Sequence, residues 1–192
     1  MAITLSGDSP NLTSASLTTP TLTSPTFAGT PTGVGVLTSG TAVDSTSGTS
    51  IDFTSIPSWV KRVNIIFSSV STNGTSLFML QIGNGSIVTT GYESGSWTAN
   101  TANTGSTAGF ILNAGSSASS GSYHGVITVN LISANKWVES GTLGQSTNPA
   151  SIGGGSVSGG TITLGGTLDR VRITTVNGTD TFDAGSINIL YE

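Results

Sequence analysis

Two hydrophobic rhythms divide this chain. Beyond about residue 41, apolar residues recur at alternate positions: "VKRVNIIFSSV" sets Val63, Ile65 and Phe67 on one face, and "TSLFMLQIG" does the same with Phe78, Leu80 and Ile82. Period-two alternation marks a strand with one face in a core. Further strands are expected at residues 109–114, 123–133, 136–140, 160–166, 168–176 and 186–192. In the run at 123–133, Tyr123, Ile127, Val129 and Leu131 share a face, as do Ile187, Ile189 and Tyr191 in the last. No segment carries a helical repeat. The pairs Asn73-Gly74, Asn84-Gly85 and Asn177-Gly178 fall between apolar runs; both residue types tolerate positive φ, so each marks a tight turn of the hairpin kind. The expectation is an all-β domain over residues 41–192, an antiparallel β-sandwich of jelly-roll type.

The first 40 residues keep a different rhythm. "SPNLTSASLTTPTLTSPTFAGTPTG" (9–33) reads as five pentads with Leu12, Leu17, Leu22 and Phe27 five residues apart, which is neither a helix nor a strand period. Pro10, Pro20, Pro25 and Pro31 each remove a backbone donor and bias the preceding residue towards extended conformations. Residues 1–40 are therefore expected to form an extended N-terminal arm. Thirty such residues could reach on the order of 90 Å. A solvated Pro/Thr linker is one reading. A pentapeptide-repeat coil is another, although four good pentads would make a single coil where about three stacked units are needed. The preferred reading lays the arm on a neighbouring subunit or winds it with copies of itself. Each fully buried peg then contributes about 1.5 to 3 kcal/mol before ordering costs.

Composition narrows the function classes. Of 192 residues, 35% are hydrophobic, only 7% are charged and 27 are glycine, which suits sheets joined by tight turns. A net charge of -4, with five Lys and Arg scattered singly, offers no basic stripe for nucleic acid. No apolar run approaches the roughly 20 residues of a membrane helix, so membrane insertion is not expected. Met1-Ala2-Ile3-Thr4 lacks the charged start and apolar stretch of a secretory signal, which implies synthesis in the cytosol. The absence of cysteine removes disulfides, thiolate catalysis and cysteine zinc sites, leaving packing or oligomerisation to supply robustness.

Candidate chemistry is sparse. His124 is the single histidine and falls inside an expected strand; no G-x-S-x-G stands in a strand-turn-helix context, and a metal site with one histidine would need symmetry copies. Asp180 and Asp183, in "NGTDTFDAGS", are the one close acidic cluster and are read as turn and strand-end residues rather than a calcium loop. The run "SIGGGSVSGGTITLGG" (151–166) lacks the Lys-Ser/Thr ending of a phosphate loop and is read as flexible connection. Asn11, Asn73, Asn84 and Asn177 begin N-x-Ser/Thr sequons and are read as turns. Trp59, just after Pro57, is expected to pack, and Trp137 could serve core or surface. Tyr92 and Trp97 share the polar stretch "GYESGSWTANTANTGSTAG", expected to be a long loop, and are the candidates for stacking on a sugar face. No catalytic, cofactor-binding or metal residue is assigned.

The arm "SLTTPTLTSPTFAGTPTG", joined to a body containing "SGTSIDFTSIPSWVKRVNIIFSSVSTNGTS" and ending "DRVRITTVNGTDTFDAGSINILYE", resembles small tailed-bacteriophage virion proteins, chiefly tail-fibre and head-appendage modules. The likeness covers nearly the whole chain, and "IPSWVKRV" and "GTDTFDAGSINI" are its less generic stretches. It implies a homotrimer on the outside of a phage particle, with an N-terminal attachment segment bearing the docking pegs Leu12, Leu17, Leu22 and Phe27 and a β-structured tip. Its partners would be other virion proteins of capsid or tail, and host surface glycans. It carries over no catalytic residues, so no enzyme is expected. The absence of a long shaft admits an alternative, a capsid decoration (cement) protein. A glycan-degrading tailspike would need paired acids in a cleft and a larger body.

Overall fold

A computed structural model describes residues 37–98, 103–115, 121–148 and 151–192; the four arm pegs lie outside the described residues. The described chain contains strands and no helix. In order they are β1 (Thr38–Ser39), β2 (Val43–Asp44), β3 (Ser50–Thr54), β4 (Arg62–Thr72), β5 (Phe78–Asn84), β6 (Ser86–Ile87) and β7 (Glu93–Thr98). There follow β8 (Asn103–Ser106), β9 (Phe110–Ile111), β10 (Ser122–Ser133), β11 (Lys136–Asn148), β12 (Ser151–Thr163), β13 (Arg170–Thr175) and β14 (Phe182–Tyr191). The body takes in β1, which pairs with Leu190 and Tyr191 and so starts slightly ahead of the boundary read from the sequence.

All pairings are antiparallel and form two sheets. The larger runs β1-β14-β4-β10-β11-β12-β7-β8, with β2 also on β14; the smaller runs β3-β13-β5-β6, with β9 also on β5. Within them the orders β2-β14-β4-β10 and β3-β13-β5-β9 are those of a jelly roll, in which the chain alternates between two four-stranded sheets. Two insertions decorate this frame. The β7–β8 hairpin comes between β5 and β9, the β11–β12 pair between β10 and β13, and together they widen the larger sheet beyond β10.

The alternation seen in the sequence is what closes the sandwich. Val63, Ile65 and Phe67 of β4, Ile127 and Val129 of β10, and Ile187 and Ile189 of β14 meet Phe78, Leu80 and Ile82 of β5 and Val171 and Ile173 of β13 in one core. Phe78 stands edge-on to Tyr123, ring centroids 5.0 Å apart. Leu131 and Tyr191 pack against the rim of the same core. Strand β5 is buried on both faces, because residues 108–109 cover its outer side: Gln81 Nε2 donates to the Ala108 carbonyl at 2.9 Å.

Only one Asn-Gly pair makes a hairpin. Asn84-Gly85 joins β5 to β6 in register, with Gly85 at φ 71°. Asn73-Gly74 and Asn177-Gly178 instead sit at corners where the chain passes from one sheet to the other, a step of about 10 Å between layers that a two-residue loop cannot make. The two corners lock together. Asn73 N–H donates to the Thr181 carbonyl and Thr181 N–H to Asn73 Oδ1, both at 2.9 Å.

Two expectations fail for a shared reason. The glycine run at 151–163 is a strand paired along β11, not a flexible connection, and the supposed polar loop around Trp97 is the β7–β8 hairpin. Ser, Thr and Gly carry no apolar alternation to betray a strand, and their pairing is set by neighbouring strands.

Candidate interaction surface

The outer faces of the two sheets differ in chemistry. On the smaller sheet Arg172 holds Asp52 through Nε and Nη2 at 2.7 and 2.6 Å, and Arg170 contacts Asp169 at 2.7 Å, so the charges there neutralise one another. The Arg170 hydrogen bond keeps the Asp169 carboxyl below the usual carboxylate range.

The larger sheet presents an uncharged stripe at right angles to its strands. Register places Ile66 of β4 opposite Val126 of β10, Val126 opposite Thr142 of β11, Thr142 opposite Val157 of β12, and Val157 opposite Trp97 of β7. All point away from the core. Val126, Val157 and Trp97 are 45%, 39% and 53% exposed. Facing residues of this kind stand about 5 Å apart, so they form one continuous ridge. Its central position, Thr142, divides it into two apolar pairs, Ile66/Val126 and Val157/Trp97.

Beside the ridge runs a floor of glycine. Gly159 pairs with Gly95, and Gly95 with Gly105. These glycines and Asn103 line a depression of about 490 Å³ against Trp97. A Cβ added at Gly95 or Gly159 would meet its nearest atom at 3.9 Å, which is ordinary contact. Packing does not require glycine there, unlike Gly141, where the Cβ would sit 2.3 Å from Ile127 Cδ1. Interior strand glycine weakens a sheet by roughly 0.5–1 kcal/mol, and here it leaves the outer surface flat beside Trp97.

The aromatic residues separate on this structure. Trp97 is on the outer face of β7, one strand in from the edge strand β8. Tyr92, its expected companion, is in the core: its ring stands edge-on to Phe110 at 4.9 Å, and its hydroxyl accepts from Ile82 N–H at 2.8 Å and faces the Ile82 and Val88 carbonyls. Burial raises its pKa to about 12. An enclosed ring cannot stack on a sugar, so Tyr92 is a core residue and not the ligand contact expected from the sequence. Trp137 is buried, and Trp59 is 42% exposed, leaning on Tyr191 at 5.9 Å.

The polar candidates take structural parts. His124 is exposed on β10, and its Nδ1 accepts from Ser69 N–H at 3.2 Å. Asp180 accepts from Ser76 N–H at 2.9 Å and from Asn177 Nδ2 at 2.6 Å, tying the two corners, while Asp183 accepts from the Ser71 hydroxyl. Among the described residues no three His, Asp or Glu side chains cluster as a metal would require.

One buried acid escaped the sequence reading. Glu139 is 1% exposed on the inner face of β11, and burial pushes its carboxyl up to about 7, against the lowering effect of a Ser158 hydrogen bond. Its Oε2, Ser96 Oγ and Trp137 Nε1 are buried without a hydrogen-bond partner. Glu139 lies on the inner face and Trp97 on the outer, so the acid takes no part in the exposed stripe.

The stripe itself was hidden in the sequence because Val126 and Val157 sit out of phase with the core residues of their strands. Only strand register sets Val157 beside Trp97 and Val126 in the same row. The chain matches no family model, no curated protein and no solved structure.

Proposed function

We propose that this protein is a structural component of a tailed-phage particle, displayed on its outside, whose N-terminal arm docks it and whose jelly-roll body projects as the working surface. The observation that carries the reading is the pairing of an uncharged, peg-bearing segment (9–33) with a body whose larger sheet exposes an uncharged apolar stripe. Apolar side chains of both kinds gain free energy of burial against another protein surface. The body has no cysteine and carries few charges, so assembly is also its most direct route to added stability. A homotrimer is the expected state; where the Trp97 indole is left uncovered by assembly, it is the aromatic face on which a neutral host glycan would stack. In the capsid decoration reading the same arm bridges neighbouring capsid subunits.

The test is incorporation. Replacing Leu17, Leu22 and Phe27 together with serine leaves the body folded and removes the protein from particles; normal incorporation of that variant contradicts the reading. Particles lacking the protein that lose heat resistance indicate cement, whereas particles that keep it but adsorb poorly to cells indicate an adhesion tip.

A further inference from the structure

We propose that the stripe Ile66–Val126–Thr142–Val157–Trp97 is the seat for two successive pegs of the arm of a second copy, so that neighbouring copies are linked by arm exchange; this rests on the docking role given to the arm above. Peg spacing matches the stripe. The two apolar pairs are centred three strands apart, roughly 14 Å at about 4.8 Å per strand. Pegs five residues apart on an extended chain are separated by roughly 16 Å at 3.1–3.3 Å per residue. Side-chain reach covers the difference.

Peg phase matches it too. A strand residue turns the chain by about 180° and a polyproline residue by about 120°. A pentad with two of the first and three of the second completes two whole turns, which brings successive pegs back to one side. Two peg-to-peg stretches, Leu17–Thr21 ("LTTPT") and Leu22–Thr26 ("LTSPT"), each contain one proline, whose ring sets the polyproline φ, after a residue that proline biases towards extended conformations. The five-residue period, unsuited to helix or strand, fits a chain lying across a sheet.

Arm and stripe are also complementary in charge. Residues 9–43 hold no ionisable side chain, and neither does the stripe or the glycine row beside it. No charge is stripped of water when the two meet. The flat floor at Gly95 and Gly159 gives room for the backbone of an extended segment. The chain outside the described residues, 36 residues ahead of Leu37, is long enough to leave its own body and reach another. Arm on face is a heterologous contact, which closes into a ring when its rotation allows.

Sedimentation velocity of the full chain over a concentration series tests this. Val126→Asp with Val157→Asp places two charges on exposed positions and leaves the core untouched. The stripe variant and the triple-serine peg variant should each weaken self-association at least tenfold, and combining them should add little. A stripe variant that associates like the parent protein while retaining its circular dichroism overturns the proposal. Particle assays separate the two levels: a peg variant lost from particles beside a stripe variant that both incorporates and self-associates normally refutes arm exchange and leaves the docking role standing. A peg variant that incorporates normally refutes the docking role itself, and arm exchange with it.

Discussion

Ser158 Oγ lies 2.6 Å from Glu139 Oε1 inside the sandwich and is the hydrogen-bond partner of that carboxyl among the described residues; Glu139 is 1% exposed. Burial raises that carboxyl from 4.5 to about 7. Between those values the folded chain holds a proton that the unfolded chain has released. The stability this group contributes is therefore complete below about pH 4.5 and is lost as pH rises through about 7. The loss approaches roughly 3 kcal/mol at 1.36 kcal/mol per pH unit. Urea unfolding at pH 5 and pH 8 should show it, and Glu139→Gln should flatten most of the difference; an unchanged slope in that variant would contradict the assignment.

Tyr92→Phe should cost about 1–3 kcal/mol, because it strips the Ile82 N–H of its 2.8 Å acceptor in a place closed to solvent. Trp97→Ala should change stability by less than about 0.5 kcal/mol, as expected for an exposed side chain away from special features. Thermal and urea unfolding of both variants separate the buried ring from the exposed one.

The corner built by Asn73-Gly74 and Asn177-Gly178 predicts a coupled pair. A methyl group at Gly74 would lie 2.0 Å from Asp180 Oδ2, and that carboxylate is held by Ser76 N–H and Asn177 Nδ2. Gly74→Ala and Asp180→Ala should each destabilise by about 1–3 kcal/mol, while the double variant costs well under their sum. Strict additivity would show that the two residues do not share one network.

Gly159→Thr separates surface function from fold. Its Cβ has room, and threonine suits a strand better than glycine, so unfolding should be unchanged or shifted up by about 0.5–1 kcal/mol. Self-association should weaken because the floor beside Trp97 is filled. Gly141→Thr, meeting Ile127 at 2.3 Å, should destabilise outright. Equal destabilisation by both would show that packing, not a ligand surface, demands the glycine at 159.

The core was legible because β4, β5, β10 and β14 alternate apolar and polar residues, which fixes both the strands and their inward faces. Strands β7, β8 and most of β12 were not, since Ser, Thr and Gly read as loop until a partner strand supplies the hydrogen bonds. The stripe was harder still: Val126, Val157 and Trp97 are distant in sequence and fall in one row only through the register of four strands. All three Asn-Gly pairs turn the chain, but only Asn84-Gly85 joins two strands of one sheet, while those at 73 and 177 turn it from one sheet to the other. Glu139, in "KWVES", gives no local sign that its side of the strand faces the core.

The central claim is that the pegs of residues 9–33 lie on another protein surface. Cryo-electron microscopy of intact particles carrying the protein tests it most directly. The account predicts continuous extended density for this segment, with Leu17, Leu22 and Phe27 pressed into a neighbouring subunit. Bodies held on the particle with their arms free in solvent would contradict it.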